Sequence, residues 1–122
     1  MMGDPVNHPE HYELGPFECI ELSGLYDFCL GNAVKYVWRH RHKGQPMQDL
    51  NKALWYLRRE RMHAGPNLLA YMPEGGCSEM ADKFDMLRES HWAGADRFWT
   101  ALENDDLEAC IQAVEQLIKE ES

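Results

Sequence analysis

The sequence predicts an all-α fold: a helical hairpin core over about residues 16–63 with an added C-terminal helical part. Three observations predict it. Apolar residues recur at i, i+3, i+4 and i+7 in several segments. Gly and Pro cluster between those segments. No alternating apolar/polar run reaches strand length. With 122 residues, 44% hydrophobic and 27% charged, the chain has the balance of a soluble globular domain and enough length for one core without disulfide staples.

The elements follow in order. Gly3, Pro5, Pro9 and Gly15 make the first fifteen residues an extended arm. Pro16 suits a first helical turn and opens a short helix through Phe17, Ile20 and the Ser23-Gly24 region. The stripe Leu30, Ala33, Val34, Val37 and Trp38 predicts a helix from about Tyr26 to Arg41, ended by Lys43-Gly44. Gln45-Pro46 starts the next helix, to about His63, on the stripe Leu50, Ala53, Leu54 and Leu57. The short connection favours an antiparallel pair, packing Val34, Val37 and Trp38 against Leu50, Leu54 and Leu57.

Residues 64–77 read as a loop by their Gly and Pro content. Ser78 is expected to cap a helix from about Glu79 to Ser90, and a shorter one follows around Ala93–Glu103. Asp105 or Asp106 begins the last helix, with Leu107, Cys110, Ile111, Val114, Leu117 and Ile118 on its apolar side. The organisation is then a helical domain over 1–63 with its N-terminal arm, a loop over 64–77, and a helical extension over 78–122 packed on the same domain.

No run of about 18 apolar residues is present, which excludes a membrane span of that kind. The N-terminus has neither a basic nor an apolar signal region, so the expected location is the cytoplasm. Cys19, Cys29, Cys77 and Cys110 form no C-x-x-C pair and are expected as buried thiols.

Net charge is −9, but unevenly spread: −6 over residues 1–34, +6 over 35–63 and −9 over 64–122. A basic middle in an acidic chain predicts either an anion site or an internal charge match between segments. The overall sign argues against duplex DNA as a partner.

Asn32, Lys35, Arg39 and His42 fall at i, i+3, i+7 and i+10, on the side opposite the apolar stripe. Lysine offers a point charge and arginine a fork matched to phosphate oxygens. Asp49, Lys52 and Tyr56 lie off the apolar stripe of the neighbouring helix. The same spacing also describes two solvated faces with intrahelical pairs. His8 and His11 stand three apart on the arm, open to general acid/base work, phosphate contact or a metal. The remaining metal ligands (Glu10, Cys19, His40 or His42) are not specified by spacing. Glu18 and Glu21 form E-x-x-E, which with Asp49 would suit a hydrated Mg²⁺. The aromatics Tyr36, Trp38, Trp55, Tyr56, Trp92 and Trp99 are mostly core by position, with one or two available to stack a base. Neither a phosphate loop nor a nucleophile elbow is present.

Four blocks occur in order: Val6-Asn7-His8-Pro9-x-His11-Tyr12, Phe17-Glu18-Cys19-Ile20-Glu21, Gly31-Asn32-Ala33-Val34-Lys35-Tyr36-Val37-Trp38-Arg39, and Asp49-Leu50-Asn51-Lys52-Ala53-Leu54-Trp55-Tyr56-Leu57. Over about residues 5–60 they resemble the small SaV-like domain common in bacteriophages and prophages, a family that includes a coliphage nucleotide kinase. The resemblance implies phosphate transfer to a deoxynucleoside monophosphate without a phosphate loop, and a homo-oligomer in the bacterial host cytoplasm. It marks His8, His11, Tyr12, Glu18, Asn32, Lys35, Tyr36, Arg39, Asp49 and Lys52.

In that reading Lys35, Arg39 and Lys52 hold phosphates, His8 or His11 contacts the transferred group or the acceptor, and Asn32 and Tyr36 orient base or sugar. One rival is a Mg²⁺-dependent all-α nucleotide pyrophosphohydrolase using Glu18, Glu21 and Asp49. Such enzymes present two E-x-x-[ED] pairs, whereas the second here reads Asp49-x-x-Lys52. A second rival is a non-catalytic protein that docks a host protein through its amphipathic last helix, or sequesters nucleotides.

Overall fold

The central helix forms where its cap stands. Asp27, in extended backbone, accepts a hydrogen bond from the Leu30 N–H at 3.0 Å, and α2 (Phe28–Arg39) follows. The computed structural model describes residues 15–42, 44–63, 65 and 67–122. Among them the protein is all-α, with α1 (Ile20–Ser23), α2, α3 (Pro46–Arg61), α4 (Gly76–Glu89), α5 (Asp96–Glu103) and α6 (Leu107–Glu121). A 3₁₀ turn, Trp92–Gly94, precedes α5. Extended pairing among the described residues amounts to a single bridge, Tyr26 to Leu69, which ties the loop after α3 back to the start of α2.

Pro46 occupies the first turn of α3, where its missing N–H costs nothing. The connection back from α2 turns through Gly44, whose φ of +82° is open to glycine without strain. The two helices pack as an antiparallel pair, and Val34, Val37, Trp38, Leu50 and Leu57 are fully buried between and beneath them. Gly31 is required at the α1–α2 contact: a Cβ there would meet the Ser23 carbonyl oxygen at 2.8 Å.

Several boundaries differ from expectation for local reasons. The helix expected from Pro16 shrinks to Ile20–Ser23, because Phe17 turns its ring edge onto Trp38 at 5.2 Å. Ser78 lies inside α4 and does not cap it; the Glu79 carboxylate reaches back to the Gly75 N–H at 3.0 Å. The helix expected from Ala93 starts instead at Asp96, since His91, Ala93 and Gly94 all take positive φ. Asp106 caps α6 as expected, accepting from the Ala109 N–H at 3.0 Å.

The C-terminal helices share the core of the hairpin. Trp38 lies against Trp92 at 5.5 Å and Trp99 at 6.0 Å, and the Trp99 indole donates to the Trp92 carbonyl. α6 packs on both α3 and α5. Arg58 and Arg61 of α3 pair with Glu115 and Glu108 of α6 at 3.3 and 3.2 Å, so part of the basic middle is matched internally. All four cysteines are free: Cys19 and Cys110 are buried, Cys29 is half-buried, and Cys77, against expectation, is exposed. Burial pushes the Cys19 and Cys110 thiols up to about 12, which leaves them inert.

Candidate functional site

The α2–α3 groove carries a continuous polar and aromatic seam. Antiparallel pairing sets Arg39 opposite Asp49, Tyr36 beside Lys52 and Tyr56, and Phe28 beside Tyr56. These residues recur at helical spacing on each helix, so the seam follows from the hairpin register.

Its centre is Tyr36. The Lys35 ammonium sits 4.6 Å from the ring centroid, the Arg39 guanidinium 4.7 Å and the Lys52 ammonium 5.4 Å. Each lies within the range at which a ring quadrupole attracts a cation. Arg39 is also paired with Asp49 at 3.4 Å. Among the described residues neither Lys35 nor Lys52 has a carboxylate partner. Among the described residues, three cations therefore gather on one ring beside the buried Asp49 carboxylate. Such crowding of like charge is electrostatically unfavourable unless an anion joins it.

An aromatic surface adjoins the cations. Tyr56 stacks on Tyr36 at 6.0 Å, and Phe28 and Trp55 stand edge-on to Tyr56 at 6.0 and 5.0 Å. Phe28 is 75% exposed and Trp55 59%, so Trp55 is not core as its position suggested. Exposed rings of this size beside unmatched cations are the parts needed to hold a planar, negatively charged ligand. A shallow hollow of about 250 Å³ opens on the other side of α2, toward α1, lined by residues that include Ser23, Asp27, Phe28, Gly31, Asn32 and Lys35.

Other predicted residues go elsewhere. His42 leaves the cation face and stacks on Trp92 at 4.6 Å, because α2 ends at Arg39 before its turn comes round. Asn32 stays on the wall of the hollow, its amide donating to the Phe28 carbonyl at 2.8 Å. Glu21 is taken by the Glu18 N–H at 3.0 Å and by Lys83 at 3.7 Å, while Asp49 faces Arg39. Glu18, Glu21 and Asp49 are thus not gathered as a Mg²⁺ set. His8, His11 and Tyr12 lie outside the described residues.

A second hollow, about 320 Å³, lies between α5 and α6, with the His91–Asp96 pair at 2.7 Å among its lining groups. Arg97, Asp96 and Glu120 also line it, and the Arg41 guanidinium lies against Gly94 at its edge. Sequence reasoning missed a different group. Cys29, Glu60 and His63 bring one ligand atom each to within 4.8 Å of one another at the far end of the seam. The α3 series Asp49, Lys52, Tyr56, Glu60, His63, continued two turns further, was the signal that could have found it.

Comparison with known proteins adds one finding. Residues 6–58, a little under half of the chain, match the model of the DUF3310 family, described as a protein of unknown function. The match spans the Tyr36 cluster and the start of α2 and stops before Glu60 and His63. No curated protein and no solved structure matches the chain.

Proposed function

We propose that this protein binds nucleotides in the α2–α3 groove and acts as a phage- or prophage-type nucleotide kinase on nucleoside monophosphates. The observation that carries the reading is the convergence of Lys35, Arg39 and Lys52 on Tyr36. Phosphoryl transfer demands mainly positioning and neutralisation of charge on phosphate oxygens, and two ammonium groups with no carboxylate partner among the described residues, beside a fixed guanidinium, supply both. Asp49 holds Arg39 in place from behind. The base lies over Phe28 and Trp55, whose exposed faces accept any purine or pyrimidine, beside the half-buried Tyr56. The resemblance to the SaV-like phage domain supplies the reaction class. In that reading His8 or His11 contacts the transferred group or the acceptor.

A thermal-shift screen across nucleoside mono-, di- and triphosphates, with and without Mg²⁺, tests the binding. A ligand of the native state raises the midpoint with concentration by mass action. Product analysis then separates activities: nucleoside diphosphate marks the kinase, pyrophosphate a hydrolase, and stabilisation without turnover a nucleotide-sequestering protein. A flat screen across all nucleotides removes the site.

A further inference from the structure

Glu60 is an acid in the wrong medium. It is 2% exposed, and its Oε1 atom has no hydrogen-bond partner. A buried carboxylate oxygen left without a partner is costly in general, so such atoms are protonated, paired or bound to a metal. No lysine or arginine of the described residues pairs with Glu60. What does approach it is a half-buried thiol, Cys29, and an imidazole, His63.

We propose that Cys29, Glu60 and His63 form a site for a borderline-soft divalent transition metal of the zinc class, which clamps the free end of the α2–α3 hairpin. Sulfur, nitrogen and carboxylate oxygen are the donor set that zinc takes, whereas Mg²⁺ and Ca²⁺ take oxygen alone. Ligand atoms around one zinc ion stand about 3.5 Å apart, given bonds of about 2.0–2.3 Å. The atoms here lie within 4.8 Å of one another, and His63, exposed and past the end of α3, closes the difference. Cys29 belongs to the first turn of α2, while Glu60 and His63 sit at the end of α3, opposite the connection through Gly44. The ion joins the two helices where nothing covalent does. Water completes the coordination.

Asp27 stands behind Glu60. Burial, then a hydrogen bond and repulsion from Asp27, push the Glu60 carboxyl up to about 7. Burial and the same two acids push the Cys29 thiol up. A divalent cation bound there would offset the negative charge that Asp27 and Glu60 bring to one buried spot. This site stands independently of the nucleotide reading, since it shares no side chain with the Tyr36 cluster.

The test uses the full chain, stripped with a chelator, titrated with cobalt(II) alone and then with competing zinc. Cobalt is expected to develop a thiolate-to-cobalt charge-transfer band, zinc to abolish it, and zinc to raise the thermal midpoint. Cys29→Ser removes the band, and His63→Ala weakens zinc at least tenfold. Asp27→Asn keeps the helix cap and weakens zinc about 10–100-fold, as loss of an outer partner does. Cys77→Ser and the pair His8→Ala with His11→Ala leave all three readouts unchanged. A band that survives Cys29→Ser, zinc affinity indifferent to His63→Ala, or no band from folded wild type overturns the proposal. Should Cys29→Ser fail to fold, His63→Ala decides, because that exposed side chain lies outside the core.

Discussion

Arg39 Nη2 and Asp49 Oδ1 meet 3.4 Å apart across the α2–α3 groove, with side chains only 10% and 4% exposed. The pair does two things at once. It fixes the guanidinium that Tyr36 also touches, and it places a carboxylate at the buried edge of a cationic cluster. Removing the arginine leaves Asp49 charged and short of water, its Oδ2 already without a hydrogen-bond partner.

Arg39→Ala is therefore expected to destabilise the fold by about 3–5 kcal/mol, the usual cost of stranding one buried charge, here Asp49. Lys52→Ala, one helical turn from Asp49 and exposed, should change stability by less than about 0.5 kcal/mol. Urea unfolding of both variants checks the contrast. Equal effects would mean that the pair is more solvated than its burial states.

Lys35→Ala with Lys52→Ala separates binding from folding. Neither lysine has a carboxylate partner among the described residues, so helicity and midpoint should stay near wild type. Nucleotide-induced stabilisation should vanish, and in wild type it should weaken as salt rises, because Lys52 is exposed and Lys35 only half-buried. Undiminished affinity in the double variant would place the ligand elsewhere.

Acid sensitivity should trace to His40. It is fully buried, its Nδ1–H donates to the Val37 carbonyl at 2.7 Å, and burial pulls its pKa below the usual 6.5. A group whose folded pKa is depressed contributes stability present above its unfolded value and lost as pH falls through the folded one. Glu60 acts with the opposite sign, its contribution being full below about 4.5 and lost as pH rises toward 7. In a Glu60→Gln background with chelator present, stability should thus fall from pH 6.5 to 5. Adding His40→Asn, whose amide can keep the bond to Val37, should flatten that slope. Unfolding midpoints across the range decide it.

Asp105 offers a gain. It takes φ +55° at the end of α5, where the Asp106 N–H reaches the Ala101 carbonyl and the Asp105 N–H reaches Leu102. That closing motif prefers glycine, since a Cβ in the left-handed region costs about 1–2 kcal/mol. Asp105→Gly should raise stability by about 0.5–1 kcal/mol, read as a higher midpoint in urea. A drop would show that the aspartate side chain compensates locally.

The architecture was legible wherever periodicity and caps agreed. The stripe through Leu30, Val34 and Val37 and the aspartate before Leu107 each fixed an element to within about two residues. Failures came where a side chain found a distant partner. Phe17 left its helix for Trp38, and Glu79 did for α4 what Ser78 was expected to do. The cationic residues of the site were readable as a face of α2, but their meeting on Tyr36 required the register of α3. Glu60 was readable as a continuation of the α3 face, but its burial was not: nothing in a sequence shows that an acid near a helix end is roofed over. The charge pattern resolved both ways, with Arg58 and Arg61 matched to α6 and Lys35 and Lys52 left for something else.

The uneven placement of the tryptophans gives the protein its own optical reporters. Trp38 and Trp99 are sealed in apolar surroundings, while Trp55 stands largely in water next to Tyr56. Emission from the buried indoles follows unfolding, and selective quenching of the solvent-facing one follows events in the groove. Occupancy and integrity can then be followed separately in one unlabelled sample, by choice of wavelength and quencher.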